Sequence, residues 1–218
     1  MMKQFYYRHL PHIQPPGSTI FVTFRLAGSL PKEEVVRLKE EKKMLLKIIR
    51  NNPDRARIAK KELKRLHFKY DRFLHDSTVG PHHLKIGKIA ELVCDSMKFW
   101  DQKRYDLLAY CVMSNHVHKV MVPLLIKEDE YYPLADIMHG VKSYTAGEAN
   151  KILGRNGQFW THESFDHYCR SEGEELEVIK YVLNNPVKAG LVSDARQWKW
   201  SYVKRELKDL IDMSGNQA

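Results

Sequence analysis

Residues 105–123 read YDLLAYCVMSNHVHKVMVP and contain the signals that decide the fold. Two runs rich in apolar and β-branched residues, Tyr105 to Met113 and His116 to Pro123, flank the pair Ser114-Asn115, which can form a tight turn. This arrangement predicts a β-hairpin. Because both runs are almost continuously apolar, we expect the β-hairpin to lie at the centre of a sheet.

The predicted β-hairpin carries two histidines where core residues are expected. Side chains alternate along a strand, so His116 and His118 point to the same face with their Cα atoms about 7 Å apart. Both imidazoles can then reach one metal ion. The spacing alone is weak evidence, since roughly half of sequences with this histidine content contain such a pair by chance. An isolated pair is more often simply hydrogen-bonded.

Patterns on either side of the β-hairpin predict the remaining elements. Residues 18–26 are rich in β-branched and aromatic residues and follow Pro15-Pro16-Gly17, which indicates a first strand. Apolar residues at helical spacing predict helices over residues 88–100, 134–153 and 174–183, and residues 159–169 predict another strand. The order β-α-β-β-α-β-α is typical of a ferredoxin-like split β-α-β sandwich of the α+β class, with an antiparallel sheet and helices on one face.

A strongly basic segment interrupts this order after the first strand. Residues 32–76 contain fifteen Lys or Arg against eight Asp or Glu, an excess of seven charges. Apolar residues at helical spacing on both sides of Asn51-Asn52-Pro53-Asp54 predict two antiparallel helices, inserted as residues 30–78. Such a helical hairpin is more often a solvated appendage than a binding element, but its charge makes it a candidate DNA arm. We expect its removal to spare the site around His116, His118 and Tyr181 if the ends of the helical hairpin lie close together.

Length and composition narrow the class of protein. The 218 residues, 43% of them hydrophobic, support one domain (1–218) with a C-terminal extension at residues 193–218. The net charge of +9 favours a nucleic-acid partner. No apolar run approaches the roughly 20 residues of a membrane helix, and the N-terminus lacks a secretory signal. We therefore expect a cytoplasmic protein with no membrane partner and with reduced thiols at Cys94, Cys111 and Cys169.

A second group of candidate site residues lies near the end of the last predicted helix. Tyr181 and Asn185 are four residues apart and share one helical face, and Pro186 indicates the helix end. The Asn185 oxygen can complete a metal site begun by two histidines, and the Tyr181 phenol is then placed as a nucleophile. A tyrosine on an amphipathic helix is, however, more often a core residue.

Three motifs in this order resemble the REP-associated tyrosine transposases of the HUH single-tyrosine transposase class. They are NHVH at residues 115–118, GQFW at 157–160 and YVLNNPVKAGLV at 181–192. The opening RHLPH at residues 8–12, the later FVTFRL at 21–26 and the basic helical hairpin are similar to the longer members of that group. Each motif alone is weak, and the specificity lies in their order over roughly residues 5 to 195.

The resemblance implies a metal-dependent single-stranded DNA endonuclease and strand transferase. It implies that His116, His118 and Asn185 hold Mg²⁺ or Mn²⁺ and that Tyr181 attacks a DNA phosphate to form a 5′-phosphotyrosine. The implied partner is single-stranded or hairpin DNA of the repeated extragenic palindrome type. The resemblance is compatible with either a monomer or a homodimer. The sequence does not identify a general base for the tyrosine.

Further DNA-binding candidates surround the turn predicted at residues 154–157. Lys142, Lys151, Arg155 and Arg170 are placed to contact phosphates, and Trp160 can stack on a base, although a core position explains Trp160 at least as well. Two alternatives stay open. One is a catalytically silent module that binds hairpin DNA or RNA around a structural metal site. The other is a metal-dependent hydrolase with Asp106 or Asp166 as the general base.

Overall fold

In the computed structural model, the predicted β-hairpin forms the centre of a five-stranded antiparallel sheet. The structure describes residues 5–7, 11–13, 17–77, 79–169 and 171–213. The strands, in chain order, are β1 (Phe5–Tyr7), β2 (Pro11–Ile13), β3 (Ile20–Arg25), β4 (Tyr105–Val112), β5 (His116–Pro123), β6 (Leu125–Lys127), β7 (Glu130–Tyr131), β8 (Phe165–Tyr168) and β9 (Ser201–Val203). The helices are α1 (Lys32–Asn51), α2 (Pro53–Asp76), α3 (Gly87–Phe99), α4 (Leu134–Ile152), α5 (Glu172–Leu183), α6 (Asn185–Lys188) and α7 (Arg205–Met213). Short 3₁₀ turns cover His83–Lys85 and Ala195–Gln197.

The strand order confirms the predicted α+β class. The sheet runs β8-β3-β5-β4-β9 with every neighbouring pair antiparallel, and its first four strands have the order of a ferredoxin-like sandwich. The strand β9 extends the sheet beyond β4. The turn between β4 and β5 is closed by the bond from the Met113 amide to the His116 carbonyl, at 2.9 Å. The pairs β1–β2 and β6–β7 form separate two-stranded ribbons.

Helices cover both faces of this sheet, so the prediction of helices on one face is wrong. On one face, Ile89 of α3 and Val141 of α4 share a cluster with Phe24 of β3. On the other face, Ile179 of α5 shares a cluster with Val120 of β5. All six residues of β3 are buried. Strands that are apolar on both sides need two covering layers, which is the physical reason for the second layer of helices.

The basic segment forms the two predicted helices, separated by Asn52 alone. They pack against each other, with the Lys69 Nζ atom 2.9 Å from Glu41 Oε2. The expectation of a solvated appendage is wrong, because Leu66 and Leu74 of α2 are 2% and 1% exposed and cluster with Phe165 of β8. The helical hairpin therefore has a buried inner face against the sheet and a charged outer face.

The remaining expectations concern composition and the chain ends. The three cysteines are buried and free, as expected. Among the described residues, no helix combines the length and apolarity that crossing a bilayer requires. Arg8 to Leu10 and Pro16, which belong to the N-terminal motif, lie outside the described residues.

Candidate active site

The strand β5 holds His116 and His118 side by side on the face of the sheet that α5 covers. Both are almost fully buried, and their Nε2 atoms lie 3.0 Å apart. Two ligands at about 2.1 Å from one ion, at a right angle to each other, are separated by about 3.0 Å. The spacing of the two imidazoles therefore fits a shared ion.

Hydrogen bonds on the far side of each ring orient the two histidines. Asn115 Oδ1 lies 2.6 Å from His116 Nδ1, and Thr23 Oγ1 lies 3.0 Å from His118 Nδ1. Asn115 donates its own amide to the Leu74 carbonyl at 3.0 Å, which leaves its oxygen to accept from His116. Burial lowers the pKa of both histidines well below its usual value. Both imidazoles are consequently neutral at pH 7, the form that binds a metal ion.

A third imidazole comes from the helical hairpin. His75, in the last turn of α2, offers a ring nitrogen, and the nitrogens of His75, His116 and His118 all lie within 4.8 Å of one another. These three histidines can hold a metal ion.

The Tyr181 hydroxyl lies beside this group and donates a hydrogen bond to Asp71 of α2. The bond from the hydroxyl to Asp71 Oδ2 measures 2.6 Å, and the Tyr181 and His118 ring centroids are 6.1 Å apart. Asp71 is fully buried, and the same oxygen lies 3.9 Å from His118 Nδ1. Burial raises the pKa of Asp71 to about 8, against the opposing effect of the Tyr181 hydrogen bond. Burial and the Asp71 charge both raise the pKa of Tyr181 above its usual value.

Asn185 is the first residue of α6, separated from the end of α5 by Asn184 alone, and is fully buried. Its amide nitrogen donates to the carbonyls of Tyr181, at 2.9 Å, and Val182, at 3.3 Å. Its Oδ1 atom is buried without a hydrogen-bond partner among the described residues. A buried acceptor left unpaired costs about 1–3 kcal/mol, and an ion would satisfy it. Imidazole nitrogens and an unpaired amide oxygen are both ligand types that divalent metal ions accept.

Three side chains of α2 reach this site from one helical face, and the sequence analysis missed them. His67, Asp71 and His75 are spaced four residues apart, and Thr23 Oγ1 lies 3.0 Å from His67 Nε2 as well as from His118. The spacing His-x₃-Asp-x₃-His was the available signal. The expectation that removing the helical hairpin spares the site is wrong, because the removal takes away Asp71 and His75.

The carboxylates nominated for a hydrolase occupy other surroundings. Asp106 is paired with Lys204, at 2.8 Å, and Asp166 lies 3.8 Å from Lys42. The carboxylate that the structure places beside His118 is Asp71.

The candidate DNA-binding residues have different environments. Lys142 of α4 donates hydrogen bonds to the carbonyls of Thr161 and His162. These bonds attach the loop that precedes β8 to α4. Trp160 is 4% exposed and donates from Nε1 to Thr145 Oγ1 at 2.9 Å, so it is a core residue whose buried ring is not available to stack on a base.

Two of the other candidates are exposed and one is not described. Lys151 pairs with Glu148 at 2.7 Å, and Arg155 donates to the Gln158 carbonyl at 3.1 Å. Arg170 lies outside the described residues. Lys188, which sequence reasoning did not single out, is exposed and holds its Nζ atom 4.2 Å from the centroid of the Tyr181 ring.

We expect Thr23→Val to weaken divalent-metal binding by roughly 10–100-fold, the usual effect of removing a group that orients a metal-binding histidine. Thr23 is fully buried and its hydroxyl contacts His118 Nδ1. Calorimetric titration with Mn²⁺ measures the affinity. The matched control is Thr145→Val, which removes an equally buried hydroxyl from α4 and the Trp160 contact. Equal losses in both variants would show that the hydroxyl at Thr23 has no particular role.

Comparison with known proteins points to one group. Residues 85–185 match the family described as Transposase IS200 like. A protein of Haemophilus influenzae that carries the provisional name REP-associated tyrosine transposase is 24% identical over 123 residues, which cover 51% of this chain and 68% of that protein. A solved structure described as a REP-associated tyrosine transposase bound to a REP hairpin superposes with a TM-score of 0.50 at 14% identity, covering 99% of this chain and 87% of the other, so that it supports the fold. The resemblance found in the sequence is thereby confirmed: the chain resembles the REP-associated tyrosine transposases, and its residues 85–185 carry the pattern of the IS200-like transposase family.

Proposed function

We propose that this protein is a metal-dependent single-stranded DNA endonuclease and strand transferase that acts on DNA next to a hairpin. The observation that carries the proposal is the cluster of a helix-borne tyrosine with paired, buried imidazoles. The Tyr181 ring lies 6.1 Å from the His118 ring and its hydroxyl is bound to Asp71. The related structure contains a REP hairpin, and hairpin DNA is the partner that we propose here.

The nucleophile of this reaction is the Tyr181 oxygen. It forms a bond to the phosphorus of the scissile phosphate while the bond from phosphorus to the 3′-oxygen breaks, which gives a 5′-phosphotyrosine and a 3′-hydroxyl after proton transfer. Attack of a 3′-hydroxyl on the phosphotyrosine reverses the step and rejoins strands. The phosphoester bond is conserved throughout, so the same site cuts and joins without a nucleotide cofactor.

Asp71 is the group placed to receive the tyrosine proton. Its Oδ2 atom already accepts the hydrogen bond from the Tyr181 hydroxyl at 2.6 Å. Burial raises the pKa of Asp71 to about 8, so its carboxylate form is a stronger base than an exposed carboxylate and is the major form only above that pH. In the rejoining direction, the proton returns from Asp71 to the tyrosine oxygen.

The metal ligands that we propose are His116, His118 and Asn185, with Mg²⁺ or Mn²⁺ as the ion. A divalent ion bound there supplies Lewis-acid polarisation of the phosphate and offsets negative charge that develops in the transition state. The chain itself contributes the fixed orientation of the ligands, because Asn115 and Thr23 hold the two rings. Buried surroundings strengthen the interaction of these groups with a phosphate.

Cations at the mouth of the site and on the outer face of the helical hairpin are the proposed phosphate contacts. Lys188 is an exposed residue, and its Nζ atom lies over the Tyr181 ring. Lys43, Lys47 and Lys61 are exposed on α1 and α2. Lys151 and Arg155 remain candidates on the far side of the molecule's sheet.

A hydrolase that uses water is the second candidate, favoured by the position of Asp71, 3.9 Å from His118 Nδ1. Covalent capture separates the two functions. The protein is incubated with labelled single-stranded DNA that carries a hairpin and with Mn²⁺, and the products are separated under denaturing conditions. A labelled protein adduct supports the transferase, cleavage without an adduct supports the hydrolase, and binding without cleavage supports a silent binding module.

We expect Tyr181→Phe to abolish both cleavage and the adduct while leaving the affinity for the DNA hairpin nearly unchanged, because only the nucleophilic oxygen is removed. The denaturing gel and a binding titration measure the two quantities. Tyr144→Phe, at an exposed position on α4, is the control and should behave as wild type. Cleavage at the wild-type rate in Tyr181→Phe would sink the assignment of the nucleophile.

We expect Asp71→Asn to lower the single-turnover cleavage rate by roughly 100–10,000-fold, the usual contribution of a general base. The amide keeps the size of the carboxylate and can still accept the Tyr181 hydrogen bond, but it takes up no proton. DNA affinity and the Mn²⁺ titration should remain close to wild type. A rate within threefold of wild type, roughly 0.7 kcal/mol in barrier height, would exclude Asp71 as the proton acceptor.

We expect the triple variant Lys43→Gln, Lys47→Gln, Lys61→Gln to bind the DNA hairpin with a weaker salt dependence. Each phosphate contact that is lost reduces the slope of log affinity against log salt by about 0.7 to 0.9. These lysines lie on the outer face, so the substitutions leave Asp71 and His75 in place. Unchanged affinity and slope would show that the outer face is only solvated.

A further inference from the structure

His75 occupies a defined position next to the two histidines of β5. Its ring centroid lies 5.2 Å from that of His116 and 6.3 Å from that of His118. The backbone next to it is fixed, because Leu74 is 1% exposed and its carbonyl accepts the Asn115 amide at 3.0 Å. The end of α2 is therefore attached to the same turn that carries His116.

The free nitrogen of His75 needs a partner. His75 Nε2 is buried and has no hydrogen-bond partner among the described residues. Burial lowers the pKa of His75, so the ring is neutral and presents a lone pair. The ring nitrogens of the three histidines lie within 4.8 Å of one another, which groups them as candidate ligands of one ion. Asp71 Oδ1, His67 Nδ1 and Asn185 Oδ1 are further buried atoms that lack a hydrogen-bond partner in the described part of the chain.

We infer that His75 is a third imidazole ligand of this site and that the ion is a first-row transition metal ion, such as Mn²⁺, Co²⁺ or Zn²⁺, in preference to Mg²⁺. The inference rests on the proposed function for the presence of an ion at His116 and His118. Three imidazole nitrogens, with the amide oxygen of Asn185 as the ligand of the proposed function, form a nitrogen-rich donor set. Imidazole favours transition ions, whereas Mg²⁺ prefers oxygen ligands and retains several waters.

This ligand also gives the helical hairpin a role that its charge does not predict. His75 lies outside residues 85–185, which match the transposase family, so it is an addition to the ligands within that range. An ion bound to His75 and to His116 joins α2 to β5. Because the ion binds the folded arrangement, it stabilises the docked position of the helical hairpin.

The test is metal binding by the full chain without DNA, so its readout does not depend on activity. Co²⁺ reports on its ligands through visible absorption, and calorimetry gives the affinities for Co²⁺ and Mg²⁺. We expect His75→Ala to weaken Co²⁺ binding by at least about tenfold, since loss of even an orienting group around a metal costs 10–100-fold. The absorption spectrum should change, and Mg²⁺ affinity should change much less. His139→Ala, an exposed position on α4, should match wild type.

A second variant guards against a loss of folding in His75→Ala. His75→Gln retains a polar side chain and replaces the nitrogen ligand with an amide oxygen, and it should lower the ratio of Co²⁺ to Mg²⁺ affinity. Thermal unfolding without metal ions establishes that each variant is folded.

The outcomes separate this inference from the proposed function. If His118→Ala loses Co²⁺ but both His75 variants bind it as wild type does, with the same spectrum, His75 is not a ligand and the proposed site stands. If the wild type binds no divalent ion, the metal site of the proposed function fails together with this inference. A wild type that binds Mg²⁺ more tightly than Co²⁺ overturns the selectivity.

Discussion

Polar side chains buried at the centre of a sheet that is covered on both faces constrain the rest of this molecule. His116, His118 and Thr23 are at most 1% exposed, and a buried polar group without a partner is costly. The partners have to come from neighbouring strands and turns, from the covering layer or from a bound ion. The turn residue Asn115 satisfies His116, Thr23 satisfies His118, and α2 and α5 bring the remaining polar groups over the same strand. The second layer of helices is thus explained by the polar centre as much as by the apolar strands.

The parts of the fold that could be predicted from the sequence are those with a local pattern. Apolar runs of strand length around Ser114-Asn115 predicted the β-hairpin, and Pro186 predicted the end of the helix that carries Tyr181. The alternation of side chains along β5 placed both histidines on one face. The number of covering layers has no such local signal, since it depends on what packs against both sides of β3. The sequence showed β3 as an apolar run, but it did not show that both faces of the strand are covered by helices.

Composition was a poor guide wherever a polar or aromatic side chain has an internal partner. Lys142 looked like a phosphate contact and donates to backbone carbonyls, while Trp160 looked like a stacking platform and fills the core beside Thr145. The basic helical hairpin is the largest case, because α2 is charged on one side and packed on the other. The net charge of the segment does not reveal that His67, Asp71 and His75 are spaced four residues apart. This spacing is recognised only when the residues of one helical face are considered separately.

The candidate active site is therefore assembled from three elements that are distant in sequence. The strand β5 provides the paired imidazoles, the segment from α5 to α6 provides the tyrosine and the amide oxygen, and α2 provides the carboxylate that contacts the tyrosine. The site residues of the first two lie within residues 85–185, which match the transposase family, and those of α2 do not. Since the Tyr181 hydroxyl is bound to Asp71, the proposed nucleophile is held by this hydrogen bond only while α2 is docked on the sheet. The same helix, α2, carries an exposed basic face. A phosphate backbone that binds this face therefore contacts the helix whose Asp71 positions Tyr181.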